Sequence, residues 1–106
     1  MRVLLDACVP ATLRSRIVDH VVSTATEMGW GDLDNGDLLD AMADQFDALV
    51  TVDKRLPKQQ HTAHRSFGVV VLRARSNRLA DLLPLVDKLC VTLDGLQPGE
   101  VAILEA

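Results

Sequence analysis

Two aspartates stand where runs of apolar, largely β-branched residues stop: Asp6 closes RVLLD and Asp53 closes ALVTVD. A third, Asp37, falls in the first turn of a helical pattern, NGDLLDAMADQ, that leads into the second of those runs. Ligands of an open α/β sheet sit outside the carboxyl ends of its strands, where the chain turns toward a helix. If the two runs are neighbouring strands, Asp6 and Asp53 face each other there. Like charges held that close repel unless a cation or a proton comes between them. Such a pair asks for a metal. Three carboxylates suit a hard, oxygen-seeking ion, Mg²⁺ or Mn²⁺, that keeps several of its waters. An ion of that kind orients and activates water and neutralises charge on a phosphate, which is the chemistry of phosphodiester hydrolysis.

Each of these acids also has a plainer use. Asp37 complements a helix dipole, as first-turn acids do. Asp6 and Asp53 can cap the turns that follow them by accepting from backbone amides. Asp32, Asp34, Asp40, Asp44 and Asp47 read as solvated helix or loop acids. His61 and His64, three apart in HTAH, have a spacing that fits a metal on a helix, but no third ligand accompanies them, so solvent or phosphate contact is the reading. Trp30, in MGWGDLDNG, is expected to pack its loop onto the core rather than to stack on a base.

The formal net charge of −4 conceals a segregation. Residues 1–53 hold ten acids and three bases, whereas residues 54–80 hold seven bases and no acid. Within that basic stretch Lys54, Arg55, Arg73 and Arg75 are the candidates for contact with nucleic acid, because a local basic face attracts a phosphate backbone even on an acidic domain. The alternative is a solvated surface, or pairing with acidic helices of the same fold.

The elements that must position these residues follow from periodicity. Short valine-rich runs at Arg2–Leu5, Val21–Thr24, Ala48–Val52, Gly68–Leu72 and Val101–Leu104 have the composition of strands buried on both faces. Between them lie helical patterns over Pro10–Val18, Asn35–Gln45 and Arg78–Leu93, the last containing Pro84. Alternating strands and helices predict a parallel sheet with right-handed crossovers in a three-layer α/β sandwich. At 106 residues and 48% hydrophobic composition, the chain is one domain spanning residues 1–106, with no repeat or linker to divide it. Residues 1–10 lack the pattern of a secretory leader and no run reaches the length of a membrane helix, so a cytoplasmic protein with no membrane association is expected. Cys8 and Cys90 are read as reduced thiols that fill the core.

In order and spacing, the phrases VLLDACVP, TEMGWGDLDNGDLLDAMA, FDALVTVDKRLPKQQ, VVVLRARSNRLADLLPLV and LQPGEV resemble the PIN-like family, compact relatives of the PIN-domain ribonuclease toxins of bacterial toxin–antitoxin modules. The resemblance runs nearly end to end. It implies a five-stranded parallel sheet with the first strand central and a cluster of acids at its carboxyl edge. On it, Asp6, Asp37 and Asp53 are the catalytic and metal-holding residues, with Thr51 opening the T-x-D phrase, and Mg²⁺ or Mn²⁺ is the cofactor. RNA is the implied substrate, a small antitoxin encoded by a neighbouring gene the implied partner, and a homodimer is compatible with it. The chain departs from the family pattern in three places: Asp6 is followed by Ala7 and Cys8 rather than by further acids, Arg55 stands where a second acid is common, and Glu27 is the only stand-in for a helix glutamate.

Two other classes of function have sequence support. Asp53 followed by Leu56 and Pro57 imitates the D-x-x-L-P phrase of phospho-accepting receiver domains, but the last strand, VAILEA, is not followed by the lysine that such a domain needs. A PIN-like scaffold that binds a protein partner or RNA without cleaving it is the stronger alternative.

Overall fold

The computed structural model describes residues 1–105. Five strands, β1 (Arg2–Leu5), β2 (Val21–Thr24), β3 (Ala48–Thr51), β4 (Gly68–Arg73) and β5 (Val101–Glu105), form one sheet in the order β2-β1-β3-β4-β5, with every pairing parallel. The middle strand is therefore β3, and β1 lies between it and the β2 edge, a change from the expectation that the first strand is central. The register sets Leu5 opposite Val50, which brings the ends of β1 and β3 side by side.

Each strand alternates its side chains between two cores, as the two-residue repeat requires. Val3, Leu5, Val50, Val70 and Leu72 point to one face, where Leu13, Ile17, Leu82, Leu85, Leu89 and Leu93 cover them. Leu4, Leu49, Val69 and Val71 point to the other, under Leu38, Leu39, Met42, Leu56 and Phe67. The second face is covered by α1 (Asn35–Met42) and α2 (Leu56–Gln59), the first by α3 (Leu79–Leu82), α4 (Val86–Gly95) and a 3-10 turn at Ala11–Arg16. This is the three-layer α/β arrangement. Burying each of these leucines fully contributes about 2–3 kcal/mol, which is why the strands read as continuous apolar runs.

All three helical segments depart from the pattern: α1 ends at Met42, short of Gln45, and the other two change more. Pro10–Val18 becomes the six-residue 3-10 turn, whose only fully buried side chain is Leu13, with Ile17 just beyond its end. A single buried leucine is too little apolar face to hold a longer helix. Arg78–Leu93 is divided at Pro84, where a 3-10 turn over Leu83–Leu85 separates α3 from α4. Pro84 has no N–H to give to the preceding turn, so the chain tightens locally and then resumes. Trp30 packs as expected, edge to face with Phe46 at a centroid distance of 6.0 Å.

Candidate active site

Asp6 continues the ladder one residue past β1, its N–H donating to the Val50 carbonyl at 2.9 Å. That bond fixes its backbone against β3, and Thr51 fixes its side chain. The Thr51 hydroxyl, fully buried, donates to Asp6 Oδ2 at 2.8 Å and accepts from the Asp53 N–H at 3.1 Å. One hydroxyl thus ties together the two strand-end aspartates, reaching Asp6 from 45 positions away in sequence. The Cys8 thiol lies 3.6 Å from the same oxygen. Burial raises the Cys8 pKa, and the neighbouring Asp6 carboxylate raises it further. The thiol is therefore protonated at neutral pH, and with the Thr51 proton already given to Asp6 it is Cys8 that donates.

The outer atoms of the two carboxylates are turned by local bonds. Asp6 Oδ1 accepts from the Ala7 N–H at 2.8 Å. Asp53 Oδ1 accepts from the Arg55 N–H at 3.0 Å, a turn closed by the aspartate's own side chain, and Asp53 Oδ2 accepts from Asn35 Nδ2 at 3.3 Å. Asn35 opens α1, so this last bond anchors the helix start to the end of β3. Both carboxylates are only partly buried.

Asp37 stands in the first turn of α1 with its side chain exposed. The helix is capped by Asp34, whose Oδ1 accepts from the Asp37 N–H at 2.9 Å. Asp34, read from sequence as a solvated acid, has the capping role, and the dipole at this end is served by both. Among the described residues, no three His, Cys, Asp or Glu side chains are grouped closely enough to hold a metal ion. The structure joins Asp6 to Asp53 and does not gather Asp37 with them into a ready-made cage.

The chemistry of the donor set fits a metal in a more limited way. Each oxygen of Asp6 and Asp53 uses one lone pair in a hydrogen bond and keeps another. A hydrated hard ion needs only one or two carboxylates from the protein when water and phosphate complete its shell.

Two clefts open at this carboxyl edge. One, of about 630 Å³, is lined by Asp53 together with Lys54, Arg55, Arg73, Ser76 and Asn77. The other, of about 460 Å³, is lined by Asp6, Thr24, Thr26, Glu27 and Asn77. Asn77 borders both and donates from Nδ2 to the Cys8 carbonyl at 2.9 Å, pinning the loop after β4 across the loop after β1. Asp53 thus shares its cleft with bases, and Asp6 shares its own with another acid. Arg75 is exposed on the same loop as Asn77 but lines neither cleft, and Arg73 carries an exposed ion pair to Glu105 at 2.8 Å.

Glu27, the stand-in for a missing fourth acid, is occupied. Its Oε1 accepts from the Thr24 N–H at 3.0 Å while Thr24 Oγ1 accepts from the Glu27 N–H at 3.1 Å, a reciprocal box that closes the turn after β2. Its Oε2 is bonded to Arg14 at 2.7 Å. The bond from Arg14, and then that from Thr24, lower its pKa, so it stays ionised.

Asp6 and Asp53 were visible in the sequence as acids ending apolar runs. Asn35 and Asn77 were not. Their bonds span 18 and 69 residues, and no local pattern announces such partners. Comparison of the chain with models of known protein families, with curated proteins and with solved structures found no match.

Proposed function

We propose that this protein is a PIN-like, Mg²⁺- or Mn²⁺-dependent ribonuclease that hydrolyses phosphodiester bonds of single-stranded RNA, and that it acts as the toxin of a toxin–antitoxin pair. The observation that carries the reading is the Thr51 hydroxyl, which holds Asp6 and the turn of Asp53 together at adjacent strand ends, beside a cleft lined by Lys54, Arg55 and Arg73. A carboxylate pair next to a basic cleft is a poor surface for most ligands and a good one for a phosphate that arrives with a cation.

In this reading Asp6 and Asp53 hold the ion, and Asp37 reaches it from the first turn of α1 or through water. When bound, the ion supplies an activated water and neutralises charge on the scissile phosphate. The chain's own residues do the rest. Lys54 and Arg55 draw the RNA backbone toward Asp53, with Arg73 and Arg75 extending the basic path along the next loop. Thr51, by holding Asp6 Oδ2, keeps that carboxylate in one rotamer before substrate arrives, which lowers the cost of assembling the site.

A second reading is favoured by how two acids are placed. Glu27, the stand-in for a helix glutamate, is taken by Arg14 and Thr24, and Asp37 stands exposed in the first turn of α1, which suits a scaffold that binds a partner or RNA without cleaving it. Isothermal titration of the purified protein with Mn²⁺ separates the two. The ribonuclease reading expects saturable binding that Asp53→Asn removes; the interaction-module reading expects none.

A further inference from the structure

We infer that the free edge of β5, with the groove beside it, is a docking site for an extended segment of a partner protein in which a short apolar run is flanked by acidic residues. Among the described residues β5 pairs only with β4, so its outer edge has no strand beside it. Edge strands are usually guarded by charge, proline or a covering element. The strand VAILE has no lysine or proline and its one charge is the terminal Glu105; beyond the ladder to β4, the Glu105 carbonyl accepts from Lys88 Nζ at 3.0 Å.

The helices that cover one face of the sheet stop short of this strand. Val101 is 39% exposed and Ile103 52% exposed. They form one wall of a groove of about 650 Å³ whose other wall is the segment carrying Pro57, Thr62 and Ala63. Lys54, Lys58, His61 and His64 also line it, and no acid does. Thr62, 2% exposed, lines the same groove, and its Oγ1 has no hydrogen-bond partner. On the opposite face of the edge, Leu104 and Val91, the latter 74% exposed, border a second apolar hollow.

These features select the occupant. A strand laid against β5 gains main-chain bonds from the open edge, and its side chains fall alternately on the two faces. Those on the groove side meet Val101 and Ile103 and then the lysines, which favours apolar residues with acids at their flanks. RNA fits less well, because the floor is aliphatic and offers no aromatic ring for a base to stack on. A second copy of this chain, whose own β5 is bracketed by Glu100 and Glu105, is the competing occupant, and sedimentation tells it apart.

The probe is a fluorescein-labelled, end-capped peptide in which a short run of valine and leucine is flanked by glutamates, with a lysine-for-glutamate version as its control. Anisotropy at low ionic strength is expected to show saturable binding of the acidic peptide and none of the basic one. Lys58→Glu and Ile103→Asp should each weaken it about tenfold or more. Amide exchange within Val101–Leu104 should slow when the peptide is bound. Ile103 is half exposed, so its variant is expected to fold; if it does not, Lys58→Glu carries the test alone. Failure of the acidic peptide to bind overturns the inference, as does binding that Lys58→Glu leaves unchanged. So does a single-stranded RNA oligonucleotide that protects the β5 amides in the peptide's place, or a sedimenting dimer that Ile103→Asp converts to monomer. The groove shares Lys54 with the cleft beside Asp53, but Lys58 and Ile103 do not line that cleft, so failure of the peptide to bind leaves the nuclease reading standing.

Discussion

Thr51 Oγ1 has one proton and two lone pairs, and all three are engaged: by Asp6, by the Asp53 N–H and by the Cys8 thiol. Thr51→Val keeps the shape and removes every one of these bonds, leaving a backbone donor unpaired beside a carboxylate. It is expected to lower stability in urea unfolding by about 1–3 kcal/mol, with Thr51→Ser, which restores the hydroxyl, well below that. The same side-chain logic gives Asp53 two roles that substitutions can separate. An amide oxygen in place of the carboxylate would still accept from the Arg55 N–H, so Asp53→Asn should change stability by no more than about 0.5 kcal/mol, whereas Asp53→Ala loses the turn and costs about 1 kcal/mol. Cys8 adds a pH dependence. Its folded-state pKa is raised, so its contribution is fully present below the ordinary thiol pKa and is lost as the pH rises through the folded value. Urea midpoints measured into the alkaline range should fall more steeply for the parent than for Cys8→Ser. At this scale the sequence was half legible. Apolar runs that end in aspartate identify Asp6 and Asp53, but Thr51 meets Asp6 only because β1 and β3 are neighbours, and Asn77 meets Cys8 only because two loops cross. Those meetings depend on strand order, which residue spacing does not encode.

The bounds of the strands were legible because each leaves a valine-rich run. Burial on both faces, expected for all five, holds for β1, β3 and β4 and fails for the edge strands β2 and β5, where Val21, Val101 and Ile103 are exposed. Helix lengths were not legible, since the apolar stripe over Arg78–Leu93 continues through Pro84 while the backbone cannot. How β5 reaches the sheet edge was also hidden. Gly99, with φ +79°, lies so close to the Ala63 carbonyl that a Cβ would overlap it, and at Gly68 a Cβ would run into Leu96. The loop before β5 therefore depends on a left-handed backbone and a close approach at one residue. Gly99→Ala should lower the unfolding free energy by about 2 kcal/mol or more, since the backbone strain and the overlap both act. Gly95, the last residue of α4, has nothing within reach of a Cβ, so Gly95→Ala should be neutral or stabilise by about 0.5–1 kcal/mol. Thermal melts of the two variants side by side test whether the β5 loop is held as described.

Across the whole molecule the segregated charge becomes a division of space. The basic stretch of residues 54–80 supplies the loops after β3 and β4, at the same sheet edge as the paired aspartates. Part of it is tied up, Arg65 with Asp40 and Arg73 with Glu105 at 2.8 Å in each case, but such exposed pairs are weak and give way to a phosphate. Arg73→Ala is therefore expected to weaken RNA binding and to reduce the slope of log K against log salt by about 0.7, the loss of one phosphate contact on a single strand. The acids should fail in a different way, sparing binding and removing chemistry. The most direct measurement is cleavage of end-labelled single-stranded RNA by the parent and by Asp53→Asn, purified in parallel, in Mn²⁺ and in EDTA. The parent is expected to cleave in Mn²⁺ and not in EDTA. Asp53→Asn should lose about a hundredfold or more of that activity, with RNA binding unchanged or tighter. Cleavage that survives EDTA, or an Asp53→Asn variant as active as the parent, would overturn the metal-dependent nuclease reading.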